Sequence, residues 1–100
     1  MLDELLILKK IKEGDIKAFE ELFRRYYFPL CCYAAGITGQ MAVAEEIVEE
    51  LFYVLWKERE RLQIFQSVKS YLYRATRNQS LQYCEHEEVR NRYREAVLNT

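Results

Sequence analysis

The chain has 100 residues, enough for one domain with a single core. Half of the residues are hydrophobic and 31% are charged, which is typical of a soluble globular protein and excludes a disordered one. No apolar run approaches the roughly 20 residues of a membrane-spanning helix, and the N-terminus resembles an amphipathic helix rather than a secretory signal. We therefore predict a cytoplasmic protein without membrane insertion.

The net charge of −1 conceals two oppositely charged blocks. Residues 41–58 carry five Glu and one Lys, a charge of −4, whereas residues 59–78 carry five cations and one Glu, a charge of +4. Because the total is balanced while the blocks are not, this pattern predicts two different partners.

Helices account for the whole periodic pattern, since the chain has only three Gly and one Pro and shows no alternation typical of strands. A first helix is predicted over residues 2–12 and ends at Gly14. Asp15 is predicted to cap a second helix whose apolar stripe reaches Ile37. The stripe keeps its phase across Pro29, so we expect a kink in this helix rather than a break.

A third helix is predicted to begin near Met41 and to end at Lys57, followed by a loop over residues 58–67. Ser67 is predicted to cap a fourth helix that runs to about Cys84, which the charged tail can extend. The predicted fold is therefore all-α, a compact bundle of three to four helices with the second helix kinked at Pro29. Its core positions in the last two helices are Ala44, Ile47, Val48, Leu51, Phe52, Leu55, Val68, Leu72, Ala75 and Tyr83, with Tyr71 at the margin.

One side of the third helix is acidic. At 100° per residue, its apolar stripe faces away from a side that carries Glu46, Glu49, Glu50, Tyr53 and Lys57. The helix macrodipole stabilises acidic residues only in the first turn, so it does not account for Glu49 and Glu50. The residues alone leave two interpretations open, a docking surface for a basic partner and an ordinary solvated face.

The fourth helix has the reverse character. Lys69, Tyr73 and Arg77 are predicted to lie on the side away from the core, flanked by Ser70, Arg74 and Ser80. Lys and Arg neutralise phosphates, and an aromatic ring stacks on an unpaired base with about 1–3 kcal/mol per base. The residues alone leave two interpretations of this side of the helix open, a surface that binds nucleic acid and an ordinary solvent-facing strip.

The sequence presents no catalytic constellation. It has no Gly-rich phosphate loop, no nucleophile with a base at workable spacing and no cluster of metal ligands. Its three cysteines lack metal-type spacing, and buried reduced thiols are the expected state. We predict a protein that is not an enzyme and that holds no metal or cofactor; a small-molecule or metal enzyme on a helical bundle is the rival.

Three stretches resemble one known family. They are 14-GDIKAFEELFRRYYFPL-30, 44-AEEIVEELFYVLWK-57 and 67-SVKSYLYRATRNQSLQY-83, and their order and spacing are similar to region 2 of the extracytoplasmic-function (ECF) sigma factors, sigma-70 family subunits of bacterial RNA polymerase. The resemblance covers about residues 5–88. It implies a region 2-like domain over residues 1–88, with residues 89–100 as the start of a linker or an extension of the last helix.

The resemblance also implies two binding surfaces. The third helix would dock on the clamp helices of the polymerase's largest subunit through Glu46, Glu49, Glu50, Tyr53 and Trp56. The fourth helix and the loop before it would recognise and melt the promoter −10 element and hold its non-template strand. The residues implied for DNA binding are Arg61, Phe65, Gln66, Lys69, Tyr73, Arg74, Arg77 and Asn78.

Two departures limit the resemblance. Residues 84–88 are mostly acidic where the family commonly turns basic, so the alternative is a helical protein-interaction module that keeps the docking face without binding DNA. The second domain of a full sigma factor, region 4, has no counterpart, so we expect an N-terminal fragment of a longer protein. An anti-sigma factor that covers the same surfaces is a possible partner.

Overall fold

The computed structural model describes residues 3–64 and 67–99, and these residues form helices without any strand. The elements are α1 (Glu4–Lys12), α2 (Ile16–Thr38), α3 (Met41–Lys57), a 3-10 turn (Arg59–Arg61) and α4 (Val68–Leu98). The predicted all-α bundle is confirmed. Helix α4 continues without interruption past residue 88, and at about 1.5 Å per residue its 31 residues span about 46 Å, most of the long axis of 58 Å.

Local capping explains where the helices begin and end. A side-chain oxygen of Asp15 accepts hydrogen bonds from the backbone N–H groups of Lys17 and Ala18, and Ser67 Oγ accepts one from Ser70 N at 3.1 Å. Both predicted caps are thereby confirmed. Helix α2 ends at Gly39, whose φ of 78° lies in the left-handed region that favours glycine.

Pro29 does not divide α2, which runs as one helix from Ile16 to Thr38. The buried side chains of Leu22, Tyr26 and Leu30 recur every four residues across the proline. Pro29 itself is exposed, so its ring lies on the solvent side of the helix. Helical continuity through Pro29 is therefore confirmed, and the kink stays a prediction.

Helix α2 is the central element, because it packs more extensively against α1, α3 and α4 than these three helices pack against one another. Phe52 of α3 is 2% exposed and meets the rings of Phe19 and Phe23 of α2, at centroid distances of 6.1 and 5.0 Å. Aromatic pairs in this edge-to-face geometry stabilise a core beyond the area that they bury. The rings therefore hold α3 against α2 in a defined orientation.

Helix α1 is fixed to α2 by a polar cluster. The Tyr26 hydroxyl donates to Glu4, with oxygen–oxygen distances of 2.8 and 2.6 Å, and Arg25 Nη1 lies 3.2 Å from Glu4 Oε2. Burial, and then the hydrogen bond to Glu4, raise the pKa of Tyr26 to about 12. The hydroxyl is thus neutral at physiological pH and remains a donor to the carboxylate.

The buried side of α4 differs from the sequence prediction. Thr76 and Ser80 are both 0% exposed and continue the line of Val68 and Leu72. The prediction that Ser80 lies beside the cations, away from the core, is wrong. The apolar stripe stops at Leu72, and small polar residues continue the buried line. Because these residues are polar, the sequence does not indicate that they are buried against the bundle. Thr76 Oγ1 donates to the carbonyl of Leu72 at 2.8 Å, whereas Ser80 Oγ has no hydrogen-bond partner within residues 3–64 and 67–99.

The substitution Ser80→Ala should leave the free energy of unfolding unchanged or raise it by up to about 1 kcal/mol, because it removes a buried hydroxyl without a partner. Thr76→Val is the matched control: it keeps the shape but removes a satisfied hydroxyl, and should cost roughly 1 kcal/mol. Urea unfolding of both variants measures the difference. A larger loss for Ser80→Ala than for Thr76→Val would show that the Ser80 hydroxyl is bonded after all.

Candidate functional surfaces

The acidic face of α3 consists of Glu46, Glu49, Glu50 and Tyr53. All four side chains are exposed, Tyr53 by 59%, and they point away from the buried residues Ala44 and Val48. Within the part of the chain that the structure describes, none of the three carboxylates forms an ion pair. The acidic face is therefore open to a partner, and it includes one neighbouring cation, Lys57, whose ammonium lies 5.9 Å from the centre of the Tyr53 ring.

Tyr27 of α2 borders the acidic face, a contact that sequence reasoning missed. Its hydroxyl donates to Glu49 Oε2 at 3.0 Å. Burial and this hydrogen bond raise the pKa of Tyr27, so the hydroxyl stays protonated. The bond holds the Glu49 side chain towards α2, while Glu46 and Glu50 lie towards α4.

Trp56 is placed differently from the other predicted docking residues. Its ring is half-buried, packs against Phe19 at 5.0 Å and lies beneath the Arg59 guanidinium at 4.3 Å. Arg59 Nη1 also donates to the Trp56 carbonyl at 3.0 Å. The indole therefore joins the core to the 3-10 turn, and its part in docking stays a prediction.

The cationic face of α4 consists of Lys69, Arg74 and Arg77. All three are exposed, and none forms an ion pair within the described residues. At about 100° per residue, Arg77 lies between the other two, and the three cations together cover about 140° of the helix surface. This breadth suits a flexible charged chain that bends around the helix better than a straight partner.

Tyr73 lies between Lys69 and Arg77 on the surface of α4, and its ring turns partly into the bundle. It is half-buried, and its ring meets Tyr33 of α2 edge-to-face at 5.1 Å. The expectation that it faces away from the core is wrong, because the buried line through Thr76 and Ser80 turns Tyr73 towards α2. Its exposed part remains beside Arg77, and its role in DNA binding stays a prediction.

The loop before α4 is described only in part. Arg61 is exposed and pairs with Glu58 at 3.4 Å, and Leu62 is buried. Two predicted DNA-binding residues, Phe65 and Gln66, lie outside the described residues.

A groove with a volume of about 710 Å³ lies between α3 and α4 and borders the acidic face. Glu46 and Glu50 line one wall, and Asn78 is the one predicted DNA-binding residue on the opposite wall. The three cations do not line the groove. The cationic face therefore lies outside this groove, whose α4 wall is formed by other residues.

Residues 3–64 and 67–99 contain no group of three His, Cys, Asp or Glu side chains that could hold a metal ion. None of the helices described is both long and apolar enough to cross a membrane. Cys31 is buried, and its burial raises the pKa of the thiol.

Comparison with known proteins gives two matches. The family model for sigma-70 region 2 matches residues 22–89. Among solved structures, the NMR structure of an engineered region 2 of sigmaE in complex with GTAAAA superposes with a TM-score of 0.75 and 21% sequence identity, covering 89% of this chain and 93% of that chain. At this identity the superposition shows a shared fold. The search of curated proteins gives no match.

The family model extends from Leu22 in α2 to Val89 in α4, well over half of the chain, and therefore includes both charged faces. The chain belongs to the sigma-70 region 2 family.

Proposed function

We propose that this chain is the domain of an ECF-type alternative sigma factor that binds core RNA polymerase and recognises the promoter −10 element. It acts by binding and holds no catalytic group, metal or cofactor. The observation that carries the proposal is the segregation of charge: adjacent helices of a sigma-70 region 2 domain present an acidic face and a cationic face, each without internal ion pairs among the described residues.

The acidic face suits a basic helical partner, here the clamp helices of the polymerase's largest subunit. Glu46 and Glu50 lie four residues apart on α3, as do Glu45 and Glu49, and each like-charged pair costs a few tenths of a kcal/mol in the free domain. A basic partner relieves this repulsion. Charge complementarity of this kind chiefly raises the association rate and the specificity.

The cationic face suits the melted non-template strand of the −10 element. Its unpaired cations neutralise phosphates, and a base extruded from the duplex costs a few kcal/mol in unstacking that a pocket and phosphate contacts offset. In this proposal the loop over residues 60–67 forms the pocket, and the strand is held by Lys69, Tyr73, Arg74, Arg77 and Asn78. The sigmaE region 2 of the same fold is in complex with GTAAAA, which supports the assignment.

The proposed domain spans residues 1–88, and residues 89–100 are the start of a linker or an extension of the last helix. An anti-sigma factor that shields both charged faces would control such a domain. The cytoplasm, where polymerase and promoter DNA meet, is its place of action.

Replacing Glu46, Glu49 and Glu50 by Ala should weaken binding to purified core polymerase. If each exposed carboxylate contributes roughly 0.5 kcal/mol, the dissociation constant rises about tenfold and becomes less sensitive to salt. Biolayer interferometry at several salt concentrations gives both quantities. The matched control replaces Glu85, Glu87 and Glu88 of α4 by Ala, the same change in charge at another place. Equal binding by the two triple variants would show that the acidic face is an ordinary solvated surface and not a docking site.

Replacing Lys69, Arg74 and Arg77 by Glu in the full-length protein should abolish promoter-specific initiation and leave association with core polymerase intact. Run-off transcription on genomic DNA, with the 5′ ends of the transcripts sequenced, detects initiation at any promoter sequence. The control reverses Arg90, Arg92 and Arg94, which lie beyond the bundle on the same helix. If the first variant still initiates at the wild-type start sites, the DNA assignment is wrong. If the wild type binds polymerase but initiates nowhere, the domain is a protein-interaction module.

A further inference from the structure

A second groove, with a volume of about 500 Å³, lies between α1 and the segment 62–64. Helix α1 contributes Leu5, Leu8, Lys9 and Lys12 to its lining. The groove is separate from the acidic and cationic faces, and α1 precedes the residues that the family model matches.

The groove combines an apolar floor with a cationic rim. Leu8 and Leu62 are buried, while Leu5 remains 39% exposed at the opening. Lys9 and Lys12 are exposed, neither forms an ion pair within residues 3–64 and 67–99, and no acidic side chain lines the groove. Lysines are favoured near a helix C-terminus by the macrodipole, but that effect does not account for the exposed leucine beside them.

The groove is held open by contacts elsewhere in the bundle. Tyr26 and Arg25 of α2 both bind Glu4 at the start of α1. At the other wall, burial of Leu62 anchors the segment 62–64. These contacts position α1 and Leu62 on the two sides of the groove.

The position of the groove along the chain indicates its ligand. Ile64, which lines it, lies three residues before Ser67, the cap of the helix that bears the cationic face. The same loop supplies the proposed pocket for the −10 element. The groove therefore adjoins the loop to which the −10 segment is assigned.

We propose that the groove between α1 and the segment 62–64 binds single-stranded DNA adjoining the −10 segment. Lys9 and Lys12 contact phosphates, and a base lies against the apolar surface of Leu5, Leu62 and Ile64. This inference rests on the proposed function, since it extends the same strand along the domain.

Fluorescence anisotropy with random-sequence single-stranded DNA tests the inference. One pool has roughly six nucleotides, and two others are extended by about six random nucleotides at the 5′ or the 3′ end, within the usual range of site sizes. For the wild type, one extension should increase affinity. In the double variant Lys9→Gln/Lys12→Gln, the gain in affinity from the extension should fall about tenfold near 0.1 M salt. For the extended pool, the slope of log affinity against log salt concentration should become shallower by about 1.4. Binding of the short pool should not change.

The matched control is Lys10→Gln/Lys17→Gln. It makes the same change in charge on residues that line a different groove, beside Asp15 and Glu21. Thermal unfolding of both double variants checks that each remains folded. An equal loss in the control, an equal loss for short and extended pools, or a loss of polymerase binding in place of DNA binding would each overturn the groove assignment.

The experiment distinguishes a failure of the groove assignment from a failure of the proposed DNA-binding function. If the short pool binds and depends on Lys69, Arg74 and Arg77, but extension adds nothing, the groove assignment alone is wrong. If neither the short nor the extended pools bind, the DNA part of the proposed function fails, and the groove assignment fails with it.

Discussion

The packing of α2 against α3 and α4 is the constraint on which the other features depend. Phe52 enters between Phe19 and Phe23, which fixes the rotation of α3 and leaves its glutamates outside. A core of this density tolerates little change in shape without loss of stability. The outward position of the acidic face is thus a consequence of aromatic packing on the opposite side of the same helix.

The contact of α4 with the bundle is made by smaller side chains and has a different effect. Thr76 and Ser80 bring the helix close to its neighbours, at the cost of one buried hydroxyl without a partner among the described residues. This contact sets the rotation of α4 and therefore moves Tyr73 towards α2. Arg74, which lies on the far side, remains fully available to a ligand.

Much of this arrangement could be predicted from the sequence, because it depends on local periodicity and capping. The helix starts at Asp15 and Ser67, and the exposure of Glu46 and Glu50, follow from neighbouring residues alone. The rotation of α4 could not be predicted in this way, since its buried line changes from apolar to small polar side chains after Leu72. The bond between Tyr27 and Glu49 joins residues 22 positions apart and exists only once α2 and α3 pack.

The composition of the groove between α3 and α4 explains why the acidic and cationic faces do not form ion pairs with each other. Ala75 and Gln79 stand on the α4 wall, opposite Glu46 and Glu50. Arginines at these two neutral positions would lie close enough to the glutamates to form ion pairs, and both charged faces would be partly neutralised within the domain. With the cations turned outward on α4, salt screening over a Debye length of about 8 Å further weakens attraction between the faces. Within the described residues, the charges of the two faces therefore do not satisfy each other.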